Sequence, residues 1–356
     1  MQAPPAVHAA AGGCRTRPGE LGPPQPPLPL PVSERAHGAG RARSGAHRRA
    51  RRRPDDEAGR GAASGGHGAH PRVSRRTLGN GCRGRAPAGT RRAALGVIRE
   101  RRQDLEITVV GSGTVLPELE RRQSCVVVET ASETLVFDLG SGAVRGMLRA
   151  GIDPFSVDRI FFTHFHPDHT VDVVPLLFAI KYAAREPRDR KLVISGPEPF
   201  HRFWAALTNV WGEWMVGDYP MPTVQLPLAC RVPVETPDCQ IFWAKTEHRP
   251  ESIGYRLEAA GKTFVYTGDT AYGESVVALA RNADTLLIEC GAPAGGEVPG
   301  HLTPEGVARI ASESGARRVV ITHFPAFLQT DLAAEVRAAG YEGEILTAED
   351  GTKFSP

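Results

Sequence analysis

Residues 163–169 read Thr-His-Phe-His-Pro-Asp-His, placing His164, His166, Asp168 and His169 within six positions. A cluster of this kind has few structural uses, because imidazole is usually only partly buried and a carboxylate beside it demands a partner. Imidazole nitrogen and carboxylate oxygen are the ligand types that zinc, manganese or iron accept, and two divalent metals sharing one site account for both number and spacing. The chemistry that follows is metal-dependent hydrolysis. Just before the cluster, Asp-Arg-Ile-Phe-Phe at 158–162 reads as a short buried strand, which sets the ligands on a loop leaving a sheet edge.

Four further histidines lie in the second part of the chain: His201, His248, His301 and His323. His248 follows the strand-like Ile-Phe-Trp-Ala-Lys-Thr-Glu, and His323 follows Val-Val-Ile-Thr. Asp269 stands in Tyr-Thr-Gly-Asp-Thr directly after Thr-Phe-Val-Tyr. An aspartate at a strand end after glycine can simply cap a turn. With four ligands already gathered, metal ligation is the favoured role of Asp269. His201 belongs to no motif and reads as a surface residue.

These residues need a scaffold, and from 104 onward strands and helices alternate. Strands are expected at 105–110, 124–129 and 135–138, then a helix over 142–150 with Val144, Met147 and Leu148 on one apolar face. After the histidine loop comes a helix over 171–184, apolar enough to be packed on most sides. A strand at 191–195 leads to an aromatic-rich helix over 200–214. Strands follow near 223–226, 240–245, 254–257 and 263–267. The remainder alternates as helix 274–281, strand 285–289, helix 304–315, strand 318–322, helix 330–339 and strand 344–347. Two such β-then-α runs, with no exact internal repeat, predict an α/β fold of four layers, an α/β/β/α sandwich.

Composition divides the chain unevenly. Residues 1–103 hold 21 arginines, no lysine and six acidic residues, a net +15. Residues 104–356 hold 22 basic and 34 acidic residues, a net −12, so the overall +3 hides two opposite parts. The first part is Arg-, Pro- and Gly-rich and lacks the apolar surface to offset chain entropy, which predicts a disordered N-terminal tail over 1–103 and a hydrolase domain over 104–356. Three readings of the tail compete: a solvated extension, a basic arm in weak contact with nucleic acid, or an upstream stretch that is not translated. A secretory signal is not expected, because no apolar h-region of the required length follows the N-terminus, and no stretch approaches transmembrane length. The six cysteines form no C-x-x-C pair, and Cys125 and Cys290 lie on strand-like runs, which suits buried free thiols and a cytoplasmic setting.

At this point the chain resembles the metallo-β-lactamase-fold hydrolases, and among them the ribonuclease Z-like branch. The resemblance covers essentially all of 105–350. It rests on Gly111-Ser-Gly-Thr114, Phe137-Asp-Leu-Gly-Ser141, the His164–His169 motif and His248 followed by Gly254-Tyr-Arg256. Gly268-Asp-Thr270, His301-Leu-Thr303 and Thr322-His-Phe324 complete it. It implies one metal held by His164, His166 and His248, and another held by Asp168, His169 and His323, with Asp269 bridging. Zinc is the expected ion, with manganese or iron as alternatives. Asp138 either orients the histidine loop or caps a turn. A water or hydroxide bridging the metals would attack a phosphorus or carbonyl centre while the ions neutralise developing charge. His301 is implied as the group that protonates the leaving oxygen; otherwise it only precedes Thr303, which can cap a helix starting at Pro304. Glu289 either orients His301 or is a surface charge at a strand end.

The chain also departs from that branch. Dedicated transfer-RNA 3′-processing enzymes carry a long arm between the third histidine motif and the bridging aspartate, whereas here 20 residues separate His248 from Asp269. Their His-Glu-Ala-Thr signature reads Ile288-Glu289-Cys290-Gly291. The −12 of the hydrolase part also opposes gripping a long polyanion, since nucleic-acid affinity comes largely from phosphate neutralisation. A small phosphodiester is therefore favoured over RNA, with a sulfate ester, lactone or thioester as the alternative and a non-catalytic metal- or nucleic-acid-binding protein behind both. Phe200, Phe203, Trp204, Trp211, Trp214, Met215 and Tyr219 read as core or dimer contact rather than a substrate platform. A homodimer is what the resemblance implies.

Overall fold

The computed structural model describes residues 105–356 apart from 185, 329 and 330, so the expected tail over 1–103 lies outside the described residues. Two sheets of seven strands each form the centre. The first contains β1 (Glu106–Gly111), β2 (Cys125–Glu129), β3 (Thr134–Phe137), β4 (Arg159–Phe161), β5 (Val193–Pro197) and β6 (Thr223–Leu226). The second contains β7 (Val234–Glu235), β8 (Gln240–Lys245), β9 (Ile253–Ala259), β10 (Lys262–Tyr266), β11 (Thr285–Glu289), β12 (Arg318–Thr322) and β13 (Glu344–Thr347). The last strand, β14 (Thr352–Phe354), crosses back and pairs antiparallel with β1, closing the first sheet.

Side-chain alternation explains the layering. Val109, Val126, Phe137 and Phe161 of the first sheet meet Tyr255, Phe264, Tyr266 and Leu287 of the second in a core between the sheets. Their strand neighbours point outward, where Val110, Val127, Val136 and Ile160 pack under α1 (Ala143–Arg149), α3 (Val173–Ala183) and α4 (Phe200–Trp211). On the other side Val265, Leu286, Ile288 and Val319 pack under α5 (Glu274–Leu279), α6 (Pro304–Ser314) and α7 (Leu332–Ala338). Period-2 strands buried on both faces require a helix layer outside each sheet, giving the four-layer sandwich.

Two expectations need correction. The segment 171–184 is not packed on most sides: α3 buries Val173, Leu176, Leu177 and Ile180, while Phe178 and Tyr182 are exposed. Apolar density alone did not reveal that this helix covers the sheet with one face only. The helix over 200–214 stops at Trp211, because Gly212 at φ 52° breaks it and a 3₁₀ turn follows. The short reach between His248 and Asp269 is a tight hairpin of β9 and β10. Its two turn residues, Ala260 and Gly261, both have positive φ, the mirror-image turn that matches strand twist. No helix among the described residues is long and apolar enough to cross a membrane.

Candidate metal centre

β3, β4, β8, β10, β11 and β12 all end at one edge of the sandwich, and the residues singled out above follow those ends. Beyond β4 the chain turns through a one-turn helix, α2 (Pro167–Thr170), with Pro167 at its first position, where a fixed φ suits helix entry. That turn directs Asp168 and His169 back toward His164. The Thr170 hydroxyl donates to the carbonyl of His166 at 2.9 Å and closes the loop. His248 leaves β8, Asp269 leaves β10 and His323 leaves β12. His323 holds φ 49°, a costly conformation for a residue with a Cβ and one that recurs at functional sites. At Gly268, φ is 57° and a Cβ would stand 2.8 Å from the Cβ of Thr163, so the close approach of the two sheets' loops there requires glycine.

The seven residues converge. Ligand atoms of His164, His166, His248 and Asp269 lie within 4.8 Å of one another, as do those of Asp168, His169 and His323. Asp269 stands between the groups with one oxygen toward each. Its Oδ2 lies 3.8 Å from His164 Nε2 and 3.7 Å from His248 Nε2. Its Oδ1 lies 3.3 Å from both His169 Nε2 and His323 Nε2.

Hydrogen bonding on the outer side of the rings decides which nitrogen is free inside. Asp138, at φ 60° just past β3, accepts from the Thr163 amide at 2.8 Å and from the Thr163 hydroxyl at 2.8 Å. A hydroxyl has one proton, so Thr163 Oγ1 must accept from His164 Nδ1 at 3.0 Å. His169 Nδ1 donates to Asp138 at 2.8 Å, and His248 Nδ1 donates to the Gly300 carbonyl at 3.0 Å. In its neutral form each of the three rings therefore presents a bare Nε2 to the interior. Asp138 also accepts from the Tyr266 hydroxyl at 2.9 Å, and Tyr266 in turn accepts from Ser124. Of the two sequence readings of Asp138, orientation of the loop is the one this network matches.

Electrostatics set the two fully buried rings apart. Burial lowers the pKa of His164 well below the ordinary imidazole value, and the neighbouring rings add to the effect. Burial acts on His169 in the same sense, yet Asp269 and Asp138 outweigh it and raise that ring well above the ordinary value. Asp269 is held well below the carboxylate range, because His323 and His169 overcome the cost of burial. His164 Nε2 and Asp269 Oδ1 are buried without a hydrogen-bond partner. Lone pairs facing one another around orphaned polar atoms cost free energy until a cation sits among them. The donor set thus fits divalent metal.

Beside this centre, His301 Nδ1 donates to Glu289 Oε1 at 2.8 Å. Glu289 is a strand-end residue but is fully buried, so it is not a surface charge; it also accepts from the amides of Thr270, Gly291 and Leu302. Burial opposes charge on His301, but the Glu289 hydrogen bond outweighs it and pushes the pKa up to about 9. Thr303 caps α6 through the Gly306 amide, as expected, so the helix-capping role and the placement of His301 coexist. His301 also comes within 4.8 Å of Asp269 and His323. His201 sits on the exposed side of α4, away from this cluster.

The aromatic stretch lies elsewhere. Phe200 and Met215 are core, whereas Phe203, Trp211 and Trp214 line a groove of about 730 Å³ against Phe178 of α3. Phe165, between two of the histidines, stacks on Phe203 at 4.5 Å and closes the inner end of that groove. Sequence reading missed Thr163, Tyr266 and Gly300 as the groups that orient the rings. Thr163 adjoins the cluster and could have been suspected; Tyr266 lies 128 positions from Asp138 with no local signal.

Residues 133–324 match the family described as the beta-lactamase superfamily domain. A ribonuclease Z of Streptomyces coelicolor is 27% identical over 299 residues, covering 70% of this chain and 96% of that protein. The probable metallo-hydrolase YhfI of Bacillus subtilis is 26% identical over 250 residues, covering 69% of this chain and 98% of its own. The crystal structure of YhfI superposes with a TM-score of 0.62 at 25% identity, over 72% of this chain and 100% of that one. The short form of human tRNase Z shares the fold with a TM-score of 0.57 at 23% identity, over 70% of this chain and 98% of its own. The chain belongs to the beta-lactamase superfamily, and within that superfamily it is ribonuclease Z-like.

Proposed function

We propose that residues 104–356 form a dinuclear metal-dependent phosphodiesterase related to ribonuclease Z. The observation that carries this reading is the division of Asp269, one oxygen toward His164 and His248, the other toward His169 and His323. One ion would be held by His164, His166, His248 and Asp269, the other by Asp168, His169, His323 and Asp269. Nitrogen and oxygen donors in this ratio suit zinc, with manganese or iron also accommodated. Two such ions, when bound, supply an acidified water and neutralise charge on a phosphoryl group.

The chain's own contribution is positional and protonic. Asp138, Thr163 and the Gly300 carbonyl hold the rings so that bare nitrogens face inward. As the oxygen of water bonds to phosphorus and the ester P–O bond breaks, the leaving oxygen needs a proton. His301 carries one, with its Nδ1 committed to Glu289 and its other nitrogen free to donate. The relatives named ribonuclease Z support RNA as one class of diester, while the tight β9–β10 hairpin and the −12 charge favour a smaller one. A homodimer is supported by exposed Phe178, Tyr182, Trp211 and Trp214 on the outer helices.

The test is to load the protein with zinc or manganese and assay a bis-aryl phosphate, a cyclic nucleotide, an aryl sulfate and a lactone. Turnover of diesters with two ions per chain is expected. Activity confined to the sulfate or lactone would sink the phosphodiesterase reading.

A further inference from the structure

The floor of the metal cleft is polar, but its mouth is not. The cleft has a volume of about 390 Å³, and His166, Asp168, Asp269, His301 and His323 lie at its base. Around the opening stand Val115 and Leu116 from the loop after β1, Val298 from the stretch before His301, and Pro325 and Phe327 from the turn after β12. Phe327 is 74% exposed and Val115 67%, so large apolar surface faces water at this opening. Among the described residues lining the cleft there is no lysine or arginine.

This mouth is built, not loose. Glu118 Oε1 accepts from the Ala326 amide at 2.8 Å, which ties the Phe327 turn to the opposite loop. Deeper in, the Arg121 guanidinium lies 3.9 Å over the Phe324 ring and donates to the Ser112 hydroxyl and the Ala348 carbonyl. Two side chains from one loop thus hold the other in place.

The two surfaces select differently. A floor that holds divalent metal would neutralise one phosphoryl group. The mouth, however, would strip water from any neighbouring phosphate and return no cation to it. An apolar, flat substituent gains there what a second phosphate loses.

We propose that this mouth is a specificity subsite for a compact phosphodiester whose retained, non-leaving substituent is a planar apolar group. That group lies against Phe327, Val298 and Leu116, and Glu118 is the positioning residue that keeps Phe327 in place. The inference rests on the phosphodiesterase reading of the floor.

The test compares two diesters with the same leaving group, methyl 4-nitrophenyl phosphate and phenyl 4-nitrophenyl phosphate, on the metal-loaded full chain. Burial of one phenyl face should lower KM about tenfold for the phenyl diester. Phe327→Ala should erase that preference. Glu118→Ala should weaken it, and Glu118→Gln, whose amide oxygen still accepts from Ala326, should restore it. A second readout needs no turnover: calorimetric binding of phenyl methylphosphonate against methyl methylphosphonate to the same proteins. Equal affinity of the two probes for the unaltered protein, or a preference that survives Phe327→Ala, overturns the subsite. A phenyl preference in binding without hydrolysis of either diester keeps the subsite and rejects the phosphodiesterase reading instead. A structured RNA cleaved at lower KM than the phenyl diester, and indifferently to Phe327→Ala, overturns the compact substrate.

Discussion

The two sheets contribute to one centre by different means. The first delivers His164, His166, Asp168 and His169 from a single loop after β4. The second delivers His248, Asp269 and His323 one at a time, from the ends of three strands. A contiguous cluster depends on local conformation: Pro167 starting α2, Thr170 closing on His166, and Asp138 holding Thr163 and His169. A dispersed set depends on registry, with Tyr266 of β10 opposite Leu287 of β11 and Glu289 of β11 opposite Thr322 of β12. The first half of the centre is a property of a loop, and the second a property of a sheet.

Substitution can break that contrast in graded ways. The largest effect is expected from Asp269→Ala, the one residue that faces both groups. Turnover should fall on the order of 10³-fold, as expected when several kcal/mol of charge stabilisation are lost, and elemental analysis should show both ions depleted. Next come His166→Ala from the loop and His323→Ala from the sheet. Each should deplete one ion of two, and equal metal content in His323→Ala and the parent would refute the division of ligands.

A smaller effect belongs to Glu289→Gln, expected to cost about 10- to 100-fold in turnover of diesters with poor leaving groups. The sign with pH follows from His301, whose pKa burial lowers but Glu289 raises further, to about 9. The proton is present below that value and lost as pH rises through it, so turnover should decline on the alkaline side. Glu289→Gln should move that decline to lower pH; an unmoved alkaline limb would remove His301 as proton donor. The smallest effect is expected from Tyr266→Phe, which deletes one of several hydrogen bonds to Asp138. A loss of about 1 kcal/mol in unfolding free energy, read by denaturant titration, is the scale of one such bond.

The contrast also explains what could be read in advance. Strands such as Val-Val-Val at 126–128 and Leu-Leu-Ile at 286–288 are runs buried on both faces, and such runs are visible in a sequence. The layer order followed from their alternation with helices. The closing strand Thr352–Phe354 was missed, because three residues with no apolar pattern become a strand only by pairing with β1. The exposed face of α3 was misjudged, since Phe178 and Tyr182 are as apolar as the residues that the helix buries. In the site, the His164–His169 spacing is legible because loop and sequence share one scale. Convergence of His248, Asp269 and His323 on it is a tertiary fact; Asp269 was legible from its strand-end place in a chain already holding four ligands, His248 and His323 through likeness to a family. The apolar mouth had no signature at all: Val115 and Phe327 are 212 positions apart and line one cleft in the fold, where Glu118 reaches Ala326.

The placement of Asp269 has one more outcome. On the two-ion reading, a carboxylate with one oxygen toward each group of ligands would couple the two binding events, since charge drawn from Oδ1 would change what Oδ2 offers. By linkage, occupancy of either position would then alter the affinity of the other by the same factor. Titration of the metal-free protein would then give a curve with a Hill coefficient different from one, and mixed-metal forms would not be averages of the pure ones.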